Sequence, residues 1–346
     1  MPNVRMPQWR SSDPDRAELP RNSHEAARIA GLLWEPDLVP LAVPHDHMEI
    51  MNLRTARGTD QFVDGRFWAN GDWNLILRSD TGSVLGTAKR GYHPLPNYTV
   101  NAICDRLVDR FGFVWDAITT FHDGATVIYT LAHPEGSWLV RGDHSPQYPF
   151  INLINNHAGN RAFTVVPSAF RPACANVLRP WKAAARRHRL SLTVRHTRQI
   201  TDTEFLTNEV FGLVERGLGQ FEEFKALTDE LSKADPVSPE RFLNAWLPMP
   251  ATPDPQAADE AVRRYEAQTR RVQRRRNAYL RVLDSETAAG DKHTPYVLWQ
   301  AAIELDQHEL PTRGQSGRAL RNLTGGSELS DRALKVAARM ASVSLA

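Results

Sequence analysis

Apolar positions recur with two different periods along this chain, and the change of period falls near residue 201. Up to that point short runs of apolar and β-branched residues are punctuated by turn chemistry; beyond it, apolar residues return every three or four positions. The first half begins with a short helix capped by Asn22 or Ser23 and ending near Gly31, then an extended segment, Leu38 to Val43. Gln61 to Lys89 reads as a β-meander. Phe62 to Ala69 and Trp73 to Arg78 bracket an Asn70-Gly71 turn, and Ser79 to Gly82 forms a second turn before Val84 to Ala88. From Asn97, read as a cap, Val100, Ile103, Cys104, Leu107, Val108 and Phe111 keep one helical stripe until Gly112 stops it. Phe113 to Phe121 and Ala125 to Ala132 then make a hairpin around His122-Asp123-Gly124.

Tyr148 to Asn155 is apolar on both parities, the mark of a strand covered on both faces. After an Asn- and Gly-rich turn, Ala162 to Phe170 resumes as a strand, in which Pro167 implies an edge position or a bulge. Pro172 suits the first turn of a helix, and Cys174, Val177, Leu178, Trp181, Ala184, Ala185 and His188 fall on one side of it. Arg171, Arg179, Lys182, Arg186 and Arg189 fall on the other, and Pro180 kinks or divides it. Ser191 to Thr197 closes this unit as a strand.

Helical patterns then cover Asp202 to Ser232, Arg241 to Leu247, Ala257 to Asp284, Tyr296 to Gln307 and Leu329 to Val343, with a proline-rich linker at 248–256. The expected fold class is α+β: an antiparallel β-rich N-terminal region packed on two helices, followed by an all-helical C-terminal region. The corresponding domains are a loose arm at 1–21, an α+β domain at 22–201, a helical extension at 202–247, the linker, and a helical region at 257–346.

A hydrophobic share of 41% and a charged share of 24% are those of an ordinary globular chain, so composition excludes little. Charge order says more. Residues 144–201 carry nine basic residues and no acid, 202–260 four basic and thirteen acidic, and 261–281 eight basic and one acidic, giving blocks of +9, −9 and +7 inside a net charge of +2. A carboxylate-free basic stretch points to an anionic partner. Two cysteines, Cys104 and Cys174, do not make a disulfide framework, and no stretch has the roughly 18 apolar residues of a membrane span. A reducing cytoplasm and no membrane partner are expected.

No phosphate loop, dinucleotide fingerprint, paired Cys-x-x-Cys or nucleophile elbow is present, and no cofactor or catalytic residue is assigned. His45, His47 and Glu49 alternate on one strand face and are the one cluster resembling metal-ligand chemistry; a polar strand face or turn is the plainer reading, since such short clusters have no specific spacing rule. His122-Asp123 is explained by its turn. His157 and His196 lack a neighbouring acid in sequence, which favours hydrogen bonding or packing over general-base work. The glycine-flanked Gly86-Thr87-Ala88-Lys89-Arg90-Gly91 has the residues for a phosphate contact but is too short to count as a motif.

Three segments carry a resemblance: Gly86 to Asn97 (GTAKRGYHPLPN), Asn156 to Thr197 with its Arg171-Pro-Ala-Cys-Ala-Asn176 core and closing Arg195-His196-Thr197, and Thr294 to His308 (TPYVLWQAAIELDQH). From about Trp34 onward the chain resembles an uncharacterised "phage/plasmid-like" protein family of actinobacteria, their phages and plasmids. It departs from that family at Pro172, where an aliphatic residue is usual, and at Pro180. The resemblance implies a mobile element and a bacterial cytoplasm, without a mechanism. An excess of Arg over Lys, 36 to 6, suits a high-GC genome.

The functional expectation is a nucleic-acid-binding protein, DNA before RNA, of the single-strand binding or annealing kind used in phage recombination or replication. Homo-oligomerisation is compatible with it. Its expected phosphate contacts are Arg161, Arg171, Arg179, Lys182, Arg186 and Arg189, with Arg263, Arg270, Arg274 and Arg281 along the later basic helix. Two alternatives stand beside it: a metal-dependent hydrolase of nucleic acid using His45, His47 and Glu49, or a scaffold or inhibitor that holds a host protein through the acidic block.

Overall fold

Antiparallel sheets fill the N-terminal half and helices the C-terminal half of the computed structural model, as the change of period at residue 201 implies. Its described residues are 20, 22–44, 61–63, 67–171, 176–178, 191–254, 256, 258–285, 293–309 and 328–345. They divide into two units. Unit 1 draws on 1–134, 150–167 and 191–215, and unit 2 on 135–149, 168–190 and 216–346.

Unit 1 begins with helix α1 (Ser23–Ala30), whose Asn22 side chain accepts from the Glu25 N–H and whose chain turns out at Gly31 with φ 67°. Strand β1 (Pro36–Pro44) pairs with β3 (Phe67–Arg78). β3 also pairs near its start with β2 (Gln61–Val63) and near its end with β4 (Val84–Lys89). The Asn70-Gly71 turn is corrected here, because β3 runs through it without reversing. Leu41 faces Asn70 while Pro40 faces Asn74, so Gly71-Asp72-Trp73 form a bulge with no counterpart on β1, although Trp73 faces Lys89 on β4. Continued pairing on both sides of the bulge overrides the local turn preference.

The second sheet has the order β10-β8-β7-β6-β5, from β5 (Val114–Phe121), β6 (Thr126–Ala132), β7 (Tyr148–Asn156), β8 (Phe163–Arg171) and β10 (Leu192–Val194). β6 and most of β7 are buried throughout, as apolar residues on both parities require. The tight turn between β5 and β6 puts His122 and Asp123 at positive φ, and Asp123 pairs with Arg78 at 3.0 Å. Helix α2 (Asn97–Phe111) buries Val100, Ile103, Cys104 and Leu107, each large apolar side chain contributing about 1.5–3 kcal/mol.

The expectation for Asn97 also changes. Pro96 holds the cap position, and the cap itself is supplied by Glu35, whose carboxylate accepts from the Asn97 N–H at 2.7 Å and the Tyr98 N–H at 3.3 Å. Burial raises the Glu35 pKa, against those two hydrogen bonds. Asn97 itself is fully buried, donating to the Trp34 carbonyl at 2.8 Å and accepting from the Tyr129 hydroxyl at 3.0 Å.

Unit 2 corrects the helix expected after Arg171. Asn176–Leu178 is a strand, β9, which pairs antiparallel with Ala169–Arg171; a ladder edge left open there outweighs helical spacing. The remainder of that expected helix, Cys174 included, lies outside the described residues. Pro167, expected at an edge or a bulge, sits in a strand that has neighbours on both sides but is unpaired at that point on one of them. Pro167 falls between the stretch paired to β10 (163–165) and the stretch paired to β9 (169–171), so its missing N–H costs no bond on that side.

The rest of unit 2 is helical. It contains the end of α3 (Thr203–Lys233), α4 (Pro239–Trp246), α5 (Asp259–Leu283), α6 (Pro295–Glu304) and α7 (Glu328–Met340). α6 is buried from Pro295 through Ile303, as a helix apolar all round must be, and is the centre of the unit. On it and around it Trp138, Phe224, Trp246, Tyr279, Tyr296 and Trp299 form an aromatic core. Trp138 donates to Thr228, Trp246 to the Leu329 carbonyl, Tyr279 to the Leu298 carbonyl, and Tyr296 to Asp143. Among the described residues no helix is long and apolar enough to cross a membrane.

Candidate functional site: a cationic cleft in unit 1

Three stretches distant in sequence close on one another in unit 1: β4 with the turn after it, the loop after β7, and the residues after β10. The first junction is backbone against backbone. Gly86 lies so close to Ala158 that an added Cβ would run into the Ala158 carbonyl. Gly159, at φ +76°, would likewise run into the Thr87 carbonyl. The second junction is reciprocal: the His93 N–H donates to the His196 carbonyl at 2.9 Å, while His196 Nδ1 lies 3.1 Å from the His93 carbonyl. Tyr92 stacks on the His196 ring at 4.8 Å and donates its hydroxyl to the Asn156 carbonyl at 3.1 Å. Burial holds the Tyr92 hydroxyl well above the ordinary phenol range, so it remains a donor.

Between these stretches lies a cleft of about 480 Å³, walled by Trp73, Thr87–Lys89, Gly91, Tyr92, Gly159–Ala162 and Arg195–Thr197. Three of its lining residues are cations, Lys89, Arg161 and Arg195, one from each stretch, and none is a carboxylate. All three cations are exposed, and none is ion-paired among the described residues. Trp73, opposite Lys89 in the β3–β4 ladder, keeps 38% of its surface exposed, with the Lys89 ammonium 5.9 Å from its ring centre. A wall with three positive charges and an accessible aromatic face suits an anion that carries a flat ring.

Two histidines border the cleft from inside. His196 is 7% exposed and lines the wall. Its Nδ1 faces a carbonyl, which can only accept, so the proton sits on Nδ1 and Nε2 is left as a lone-pair acceptor. That Nε2 is buried, with no partner among the described residues. His157, fully buried, lies with Nε2 3.0 Å from Asn97 Oδ1 and leaves its Nδ1 without a partner. Burial lowers the His157 pKa from the ordinary 6.5 to about 3, helped by the charge His196 would carry; burial likewise lowers His196 to about 4, against the His93 hydrogen bond. Both rings are therefore neutral at pH 7. They are weak bases and good hydrogen-bond acceptors.

Of the residues expected from sequence, Arg161 is placed in this cleft. The Arg171 side chain, Arg179, Lys182, Arg186 and Arg189 lie outside the described residues, as do His45, His47 and Glu49. Among the described residues no group of three or more His, Cys, Asp or Glu is arranged to hold a metal ion.

The other four expected contacts are on α5 in unit 2. Arg263, Arg270, Arg274 and Arg281 are all exposed, and Arg270 is paired with Glu266 at 3.4 Å, as Arg264 is with Glu260 at 3.0 Å. Arg276 is buried and donates to Asn244 at 2.8 Å. Along this helix Tyr279 and Leu283 are buried, whereas Val262 and Leu280 are 37% and 38% exposed. Sequence reasoning missed Trp73 and Arg195, set Lys89 aside in a stretch too short to count as a motif, and read His196 as a hydrogen-bonding or packing residue. The available signal was that the GTAKRGYH and Arg195-His196-Thr197 segments both belong to the resemblance, and they meet at the cleft.

The family model for the domain of unknown function DUF932 matches residues 84–324. The chain belongs to that family, and every stretch of the cleft except Trp73 falls within the matched region. No curated protein and no solved structure matches the chain.

Proposed function

We propose that this protein binds nucleic acid, and that the unit 1 cleft receives single-stranded DNA. The observation that carries the reading is the convergence of Lys89, Arg161 and Arg195 on a carboxylate-free cleft beside the exposed face of Trp73. Cations that follow a backbone and an aromatic face for a base are the two components of single-strand recognition. An exposed indole serves an unstacked base and has no use for a paired one. The neutral, weakly basic histidines favour binding over proton-transfer catalysis at this cleft. The resemblance to proteins of phages and plasmids supports the finer setting: an annealing or recombination factor of a mobile element, working in a bacterial cytoplasm.

The test is fluorescence anisotropy of a labelled single-stranded oligonucleotide against the wild type and a Lys89→Glu, Arg161→Glu, Arg195→Glu triple variant. Binding should fall by two orders of magnitude or more in the variant, with a salt dependence shallower by about 0.7 in log–log slope for each lost contact. Equal binding by wild type and a folded triple variant overturns the assignment.

A further inference from the structure

The cleft carries more than charge, because it has a floor that asks for a particular partner. His196 Nε2 is a buried acceptor, held in that state by the His93 carbonyl on the opposite nitrogen, and no group among the described residues donates to it. Its ring cannot swing away easily, since Tyr92 stacks on one face and is itself tied through its hydroxyl to Asn156. A buried acceptor without a donor is unfavourable by itself, and a ligand that brings an N–H to it removes that penalty.

Resting on the single-strand reading, we propose that the cleft is a pocket for one nucleotide bearing an amino base, adenine or cytosine. The base stacks on Trp73, the phosphate lies among Lys89, Arg161 and Arg195, and the exocyclic amine donates to His196 Nε2. The volume of about 480 Å³ is within the usual range of a small-molecule pocket, so one nucleotide is a ligand in its own right and not merely a fragment of a long tract. A base that presents a carbonyl where adenine has its amine would set two acceptors against each other. Discrimination of that kind is large, because the buried group of the site is left unpaired. His196 is a specificity residue in this arrangement, and its neutral state is what makes it one.

The experiment is competition against a labelled mixed-sequence oligonucleotide by adenosine monophosphate, inosine monophosphate, adenosine and inorganic phosphate, using the full chain. Adenosine monophosphate should displace the probe at least about tenfold more effectively than inosine monophosphate, and better than adenosine or phosphate alone. His196→Phe should remove the adenosine-over-inosine preference while leaving the phosphate requirement, with folding checked by thermal melting. The comparison of the two monophosphates on the wild type needs no variant. If the oligonucleotide binds but the two monophosphates compete equally, or neither competes, the one-nucleotide pocket is wrong and the single-strand reading survives. If the oligonucleotide itself does not bind, both fail.

Discussion

The unit 1 cleft and helix α5 of unit 2 are both basic, but their charge is arranged in opposite ways. On α5 the arginines are dense in sequence, eight between residues 261 and 281, and they stand along one exposed helix where Glu260 and Glu266 reach two of them a turn away. In the cleft there are three cations, one from each of three separate stretches, around a concave wall without a carboxylate. Solvent and salt screen a convex row of charges, whereas a concavity concentrates its field on whatever enters. A charge run in sequence reports composition; a site needs convergence, and convergence is a property of the fold. The remaining differences follow from this. The cleft has an aromatic face and an unpaired acceptor, and its construction tolerates no side chain at two glycines.

Those glycines give the largest expected effect. Gly86→Ala places a Cβ against the Ala158 carbonyl, and Gly159→Ala adds left-handed backbone strain to a collision with the Thr87 carbonyl. Backbone cannot give way as a flexible side chain would, so each variant should lose about 3 kcal/mol or more in urea unfolding. Gly91→Ala, at the cleft rim with open space around it, should stay within about 0.5 kcal/mol of wild type. In unit 2, Gly219→Ala also meets open space and should stabilise helix α3 by about 0.5–1 kcal/mol. A small effect at Gly86 or Gly159 would mean that the β4 junction does not hold the cleft.

Acid should separate the regions next. The folded-state pKa values of His157 and His196, about 3 and about 4, lie below the ordinary 6.5, so the unfolded chain binds more protons between those limits. Stability from these rings is complete above about pH 6.5 and falls as pH drops, by about 1.4 kcal/mol per unit for each ring until its folded pKa is reached. Urea midpoints measured from pH 7 to pH 4 should therefore decline, and His157→Gln should flatten the decline while lowering stability at pH 7. An unchanged slope in that variant would remove His157 as its cause.

How much of this was readable in the sequence divides along the same line. Helix α2, the β5–β6 hairpin, the doubly covered β7 and the helical second half were legible because period and turn chemistry are local. The Asn70-Gly71 turn and the helix after Pro172 were misread because strand pairing decided those residues, at Leu41 with Asn70 across the sheet and at Phe170 with Val177 between neighbouring strands. For the site, Arg161 was chosen on charge density and belongs to the cleft, while Lys89 and Arg195 were passed over because each stands in a short, unremarkable stretch. The state of His196 could not be read at all, since it depends on a carbonyl 103 residues away.

Within the cleft, Trp73→Ala tests the aromatic face separately from the charge. It should weaken single-strand binding by about 1–3 kcal/mol, the usual worth of a stacked base, without changing the salt slope. A changed slope with unchanged affinity at low salt would mean that Trp73 acts through Lys89, 5.9 Å from its ring, and not by stacking.

The smallest effect is expected on α5. Arg271, Arg274 and Arg281 are exposed there without a carboxylate partner among the described residues, and span about 15 Å at 1.5 Å per residue, enough to pass a few phosphates. The ion pairs described on this helix, Arg264 with Glu260 and Arg270 with Glu266, are made within the helix itself, one turn apart. Yet the row runs along a single helix, and the pocket of about 530 Å³ that this helix does line, beside Arg264 and Tyr265, also holds the Glu260 carboxylate. Arg271→Glu, Arg274→Glu and Arg281→Glu together should therefore lower oligonucleotide affinity less than the cleft triple variant does. The loss should disappear as salt is raised and should be the same for every base composition. A loss equal to that of the cleft variant, or one that depends on the base, would make α5 a recognition surface and would reverse the ranking argued from concavity.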